Sequence, residues 1–187
     1  MTSTDGIVID ERLVIRADAS GPKSARMVLQ NPRVDFAVME VARGGIIREG
    51  LGYDRNDVAV VTNIDREHLD TYRDLDDIRD CFTEFVNKVP FYGAAVLCIE
   101  DENVQTILPR VRRRTVAYGR SAQADYEAHS FTCGQFHSEF QVRANGEDLG
   151  KFQIQAPGEH NVLNATAAVA VARELGVAPD VIREGLA

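Results

Sequence analysis

The sequence predicts an α/β fold, a mostly parallel sheet flanked by helices with a small antiparallel β subdomain inside it. Three observations carry this. Uninterrupted apolar runs at 36–39, 58–61 and 94–99 suit strands covered on both faces. A stretch of helical periodicity separates the second run from the third. After residue 124 the texture changes to segments that alternate polar with apolar and are parted by turns. Strand, helix, strand in this order implies right-handed crossovers.

Taken in order, Ile7-Val8-Ile9 and Leu13-Val14-Ile15 flank Asp10-Glu11-Arg12 and predict a short hairpin. Gly21-Pro22 breaks the chain, Ser24 to Gln30 reads as a short helix, and Asn31-Pro32 stops it. Phe36-Ala37-Val38-Met39 is a strand ending in Glu40, and Val58-Ala59-Val60-Val61 a second ending in Thr62-Asn63. From Leu75 to Val89, the residues Leu75, Ile78, Cys81, Phe82, Phe85 and Val89 fall on one helical face. Ala94 to Ile99 is the third strand, followed by a helix from Asn103 that Pro109 limits, and a short strand Thr115–Tyr118. Tyr126–Phe131, Glu139–Arg143 and Phe152–Gln155 form the antiparallel part (residues 124–156), with turns at Cys133-Gly134 and Asn145-Gly146. An Ala/Val-rich helix from about Asn161 to Leu175 is apolar on most sides and is expected to lie buried against the sheet. Gly176 closes it, and Pro179 opens a last short helix.

Composition narrows the function. With 187 residues, 44% hydrophobic and 27% charged, the chain is an ordinary globular protein, long enough for one good core or for one domain with a small appendage. Its net charge of −8 excludes the basic footprint of a nucleic-acid binder. The one dense basic run, Arg110 and Arg112–Arg114, reads as a solvated helix end. Cys81, Cys98 and Cys133 show no metal or redox spacing and suit a reducing compartment. No signal-peptide core or membrane-length apolar stretch is present, so a cytoplasmic protein without membrane partners is expected.

Chemistry-bearing residues gather at the ends of predicted elements, where ligands bind in open parallel sheets. Glu40 ends one strand; Asn63, Asp65, Glu67, His68 and Asp70 end the next; His160, Asn161 and Asn164 open the buried helix. Glu40 and His68 could share a divalent cation, since Mg²⁺ needs as little as one carboxylate beside phosphate oxygens and water. A surface Glu and a loop-orienting His are the other reading. Asn161 is an N-cap candidate, or an amide reading a base edge. Arg43-Gly44-Gly45 could approach an anion or be a plain loop, and the acidic stretch Asp70 to Asp80 is a solvated helix start. Gly21-Pro22-Lys23-Ser24 lacks the spacing of a phosphate loop, and no complete one exists in the sequence.

Two separated stretches carry a family resemblance. Residues 57–119, DVAVVTNIDREHLDTYRD through RRRTVAYG, and the later APGEHNVLNATAAVAVARELGV resemble the central domain of Mur ligases. The second stretch holds the Gly-x-His-Asn-x-x-Asn-x-x-Ala-Ala pattern. Residues of about 57–187 resemble the muramate–alanine branch, and those of about 1–56 the Mur-ligase-like domain of cyanophycin synthetase, in the same superfamily. The resemblance implies an ATP-dependent, ADP-forming ligase. A carboxylate is activated as an acyl phosphate, and an amine attacks it to form an amide. It implies that Glu40 and His68 hold Mg²⁺, that Asn161 faces adenine with His160 beside it, and that Asn164 completes the motif. It makes residues 1–187 a partial central domain of phosphate-loop architecture, without the loop's own Lys and Thr/Ser. Little ligase turnover by the chain alone is therefore expected, with substrates carried by further domains. The alternatives are a cyanophycin-type fragment, or a non-catalytic or hybrid module that keeps the fold only. Apolar surface left by a missing edge strand would favour self-association.

Overall fold

The computed structural model describes residues 1–41, 50–66 and 72–187. They divide into two compact units, one of residues 1–55 and 66–74, the other of 56–65 and 75–187.

In the first unit β1 (Thr2–Ser3), β2 (Gly6–Ile9) and β3 (Arg12–Ile15) form an antiparallel meander in that order. Asp10 and Glu11 join β2 to β3 with φ of 49° and 60°. Both lie in the left-handed region that two-residue hairpins require. Helix α1 (Pro22–Leu29) starts two residues earlier than the sequence suggested, because proline is tolerated in a first turn, where no N–H is needed. Ile7, Ala19 and Val28 form a small core against Ile9, Val34 and Ala37.

The strand expected at 36–39 does not form, and only one bridge residue stands in its place. Thr2 meets Met39 in a single parallel bridge, with Thr2 N–H on the Val38 carbonyl at 3.0 Å and Glu40 N–H on that of Thr2 at 2.9 Å. Phe36 and Val38 are 60% and 55% exposed. A strand buried on both faces needs neighbours as long as itself and two covering layers; the neighbour here, β1, is two residues long.

The second unit is built on one six-stranded sheet. Its strands are β4 (Val58–Val61), β5 (Ala94–Cys98), β6 (Thr115–Gly119), β7 (Tyr126–Cys133), β8 (Ser138–Ala144) and β9 (Glu147–Ile154), side by side in sequence order. The first four run parallel and the last three antiparallel, β7 belonging to both sets. The strands of 124–156 thus continue the parallel sheet rather than forming a sheet of their own. The junction is narrow: β6 and β7 pair only at Tyr118↔Tyr126 and Gly119↔Glu127. Asp125 covers the gap beyond it, its Oδ2 accepting the Ala117 N–H at 2.8 Å. The β8–β9 turn is Asn145-Gly146, as expected, with φ of 49° and 88°.

Helix α2 (Leu75–Asn87) buries Ile78, Cys81, Phe82 and Phe85 of the predicted face, with Val86 beside them, while Leu75 is half-buried and Val89 is buried just beyond the helix end. Helix α3 (Glu102–Ile107) is capped by the Asp101 side chain, which accepts the Val104 N–H. It passes into a 3₁₀ turn at Leu108–Arg110, where Pro109 ends regular helix. Helix α4 (Glu159–Glu174) is the Ala/Val-rich segment. It buries Val162, Ala165, Thr166, Ala167, Val169 and Ala170 in a core shared with β5, β6, β7, β8 and β9. Small side chains let its backbone lie close to the sheet. Thr166 is buried without penalty, because its hydroxyl donates to the Val162 carbonyl at 2.8 Å. Gly176 and Val177 close the helix by donating to the carbonyls of Arg173 and Ala172. Strand β5 is buried at all five residues. Ala94, Val96 and Cys98 join the α4 core, and strand alternation turns Ala95 and Leu97 to the opposite face. Helix α5 (Pro179–Leu186) packs Ile182 into the same core.

Candidate functional site

The first turn of α4 carries the expected base-reading residues. The helix starts at Glu159, so its N-cap position is Gly158, which has no side chain to cap with. Asn161 therefore is not the N-cap, as one sequence reading had it. Its Nδ2 instead donates to the Pro157 carbonyl, four residues back, at 2.7 Å. Gly158 sits at φ 102°, where other residues are strained. A Cβ there would also stand 2.9 Å from Cε1 of the His160 ring. His160 and Asn164 are exposed and Asn161 is half-buried. All three lie on one turn and a half of helix with polar groups reachable from solvent. An amide that spends one hydrogen on Pro157 retains a second N–H and a carbonyl oxygen, the pair that a base edge requires.

A second carboxylate, which the sequence reading passed over, anchors this turn. Glu100 lies two residues past the end of β5. Its Oε1 accepts the backbone N–H groups of Arg120 at 2.8 Å and Ser121 at 3.0 Å, and its Oε2 accepts the Arg120 guanidinium at 3.3 Å. Burial alone would raise its pKa, but the two backbone donors and the adjacent cation outweigh that and hold it below the usual carboxylate value. Gly119 leaves room for it, since a Cβ there would lie 2.6 Å from Glu100 Oε1 and would push that carboxylate aside. The same Arg120 reaches on to Glu159, Nη1 to Oε1, at 2.5 Å. The available signal was position: Glu100 and Arg120 both follow the carboxyl ends of parallel strands.

Glu40 belongs to the first unit. Its backbone is bridged to Thr2, and its Oε2 accepts the Thr4 N–H at 2.9 Å, so the hairpin orients the carboxylate. That bond uses one of about four lone-pair sites of the group. His68 lies outside the described residues, as do Glu67, Asp70 and Arg43-Gly44-Gly45. Among the described residues no group of three or more His, Cys, Asp or Glu side chains converges as a metal site. Asn63 accepts the Thr62 hydroxyl at 3.1 Å and is exposed.

The sequence pattern of the Mur ligase middle domain matches residues 7–172. The chain belongs to the Mur ligase family. As a Mur ligase middle domain it is 63% identical over 129 residues to the UDP-N-acetylmuramate–L-alanine ligase of Solibacter usitatus, covering 69% of this chain and 27% of that protein. It is 55% identical over 129 residues to the enzyme of the same name from Syntrophobacter fumaroxidans, covering 69% and 28%. Among solved structures it resembles MurF from Acinetobacter baumannii with a TM-score of 0.70 and 26% identity, over 83% of this chain and 34% of that one. The Mur ligase middle domain thus spans under a third of the curated relatives' length. The family is one of ATP-dependent ligases. These matches carry the muramate–alanine part of the expectation; the cyanophycin part rests on residues 1–56 of the sequence alone. No helix among the described residues is long and apolar enough to cross a membrane.

Proposed function

We propose that this chain is the middle, ATP-binding domain of a cytoplasmic, ADP-forming carboxylate–amine ligase of the UDP-N-acetylmuramate–L-alanine type. The observation that carries the reading is 63% identity across 129 residues to a ligase of that name. The donor set supports it. Asn161 is pinned by Pro157 yet keeps donor and acceptor capacity for the adenine edge, with His160 beside it and Asn164 one turn on. Glu40, oriented by the Thr4 N–H, is the carboxylate for Mg²⁺, which is satisfied by few protein oxygens; His68 is proposed as its companion. Bound Mg²⁺ would neutralise charge on the phosphoryl group that ATP transfers to the acid substrate. The chain's own residues hold and orient: Gly158 keeps the turn open, Asn161 and His160 seat the base, and Glu40 presents its carboxylate. The acid and amine are carried by other parts of the ligase. Self-association is a further proposal for the isolated chain, supported by β3, whose four residues are all exposed; light scattering that shows only monomer overturns it.

Calorimetry with Mg²⁺ and a non-hydrolysable ATP analogue tests the nucleotide site on wild type, Asn161→Ala and Glu40→Ala. Weaker binding in both variants is expected. No binding by the wild type at millimolar ligand would leave the chain a fold without a nucleotide site, and a non-catalytic module would become the better reading.

A further inference from the structure

We propose that Arg120 is a positioning residue for the nucleotide-binding turn, clamping the start of α4 to the carboxyl ends of β5 and β6. The inference rests on the nucleotide-site reading of His160 and Asn161. Three facts carry it. First, α4 begins at a glycine with φ 102° that has no side chain to cap with, so the free N–H groups of its opening turn receive no acceptor from the cap position. Second, besides its backbone bonds, two side-chain contacts among the described residues hold that turn. Asn161 donates to Pro157 at 2.7 Å, and Glu159 receives Arg120 at 2.5 Å. Third, Arg120 is itself fixed. Its backbone N–H and its guanidinium both bind Glu100, whose side chain is 22% exposed, and Gly119 leaves the room that this carboxylate occupies.

The clamp is therefore a chain of three side chains, Glu100, Arg120 and Glu159, that ends one residue before His160. Its outer link is weak as a stabiliser. Arg120 and Glu159 are 44% and 47% exposed, and exposed pairs of this kind contribute little to folding. Its consequence is geometric. Glu159 is the first helical residue, so holding its side chain fixes the azimuth at which Asn161, two residues on, presents its amide. Glu159 also places negative charge at the helix N-terminus, which favours the wound turn.

The test compares Arg120→Met, Glu159→Gln, their combination, and Arg120→Lys. Three quantities are read: melting temperature, affinity for a non-hydrolysable ATP analogue with Mg²⁺, and the NMR resonances of the Asn161 side-chain amide without nucleotide. The expected result is a nearly unchanged melting temperature, affinity about three- to fivefold weaker in either single variant, and a double variant no weaker than the singles. The Asn161 amide resonances shift in both singles, and Arg120→Lys recovers part of the affinity. Unchanged affinity and unshifted Asn161 resonances in Arg120→Met overturn the proposal, as does a double variant whose losses add. If the wild type binds no nucleotide, the nucleotide reading fails and the amide resonances decide the clamp alone. A shift in Arg120→Met then supports it, and none refutes it.

Discussion

Asn161 binds the carbonyl of Pro157 across 2.7 Å, closing a ring of five residues around a glycine that no other residue replaces without strain. The link makes two demands separable. Gly158→Ala introduces a Cβ 2.9 Å from the His160 ring at a φ of 102° and is expected to cost about 1–3 kcal/mol. Asn161→Ala removes one partly exposed hydrogen bond and is expected to cost only about 1 kcal/mol. Urea denaturation of both variants checks the order; an Asn161→Ala variant less stable than Gly158→Ala would show that the strain argument is wrong.

Glu100 gives a pH dependence with a definite sign. Its carboxyl has a lower pKa in the fold than its ordinary value of 4.5, because Arg120 and Ser121 donors overcome the effect of burial. The folded state therefore releases this proton more readily than the unfolded one. The stability it contributes is fully present above about pH 4.5 and is lost as pH falls through the lower folded value. In Glu100→Gln that portion of the acid slope should vanish. Identical slopes for variant and wild type between pH 5 and pH 3, in thermal melts, would remove Glu100 from the account.

The three thiols should separate by access. Burial pushes the Cys98 thiol up, and Cys81 is also buried, whereas Cys133 is exposed at the end of β7. A thiol reagent at pH 8 is expected to label one equivalent quickly and the other two only on unfolding. Peptide mapping that finds Cys98 labelled first would contradict the packing around β5.

Phe140 and Phe152 stack across β8 and β9 with centroids 5.7 Å apart, both almost wholly buried. Phe140→Ala is expected to cost about 3–5 kcal/mol, enough to consume much of a small domain's stability. Phe136→Ala in the neighbouring loop, 73% exposed, is the control that should cost almost nothing. Equal losses in chemical denaturation would mean that β8 and β9 are not part of the core.

What the sequence made legible follows from how far each signal reaches. The strands at 58–61 and 94–98 and the face of α2 could be read because periodicity and apolar continuity are local properties, but only 94–98 is covered on both faces, since Val60 is exposed. The turn at Asn145-Gly146 was readable for the same reason, its chemistry lying in two residues. Phe36–Met39 misled because an apolar run becomes a covered strand only beside long neighbours, and nothing within those four residues reports on neighbours. The continuity of β7 with the parallel sheet was also hidden, since two residue pairs decide it. At the site, the polar motif that opens α4 stood out by resemblance. The N-cap reading of Asn161 failed because the helix starts two residues before it, at a backbone geometry only Gly158 explains. Glu100 and Arg120 are twenty residues apart, and only pairing of β5 with β6 brings them together.

The narrow seam between β6 and β7 also sets an order of assembly. Strands β7, β8 and β9 meet through short turns, so their contacts close small loops. The parallel pairs β4–β5 and β5–β6 must each wait for a crossover to fold back. With only two residue pairs in the β6–β7 ladder, the β7–β8 and β8–β9 ladders can begin to form before the parallel strands, and the core that α4 shares with both sets closes afterwards. In pulse-labelled hydrogen exchange during refolding, the amides of β8 should gain protection before those of β5, making the antiparallel strands the template onto which the parallel ones dock.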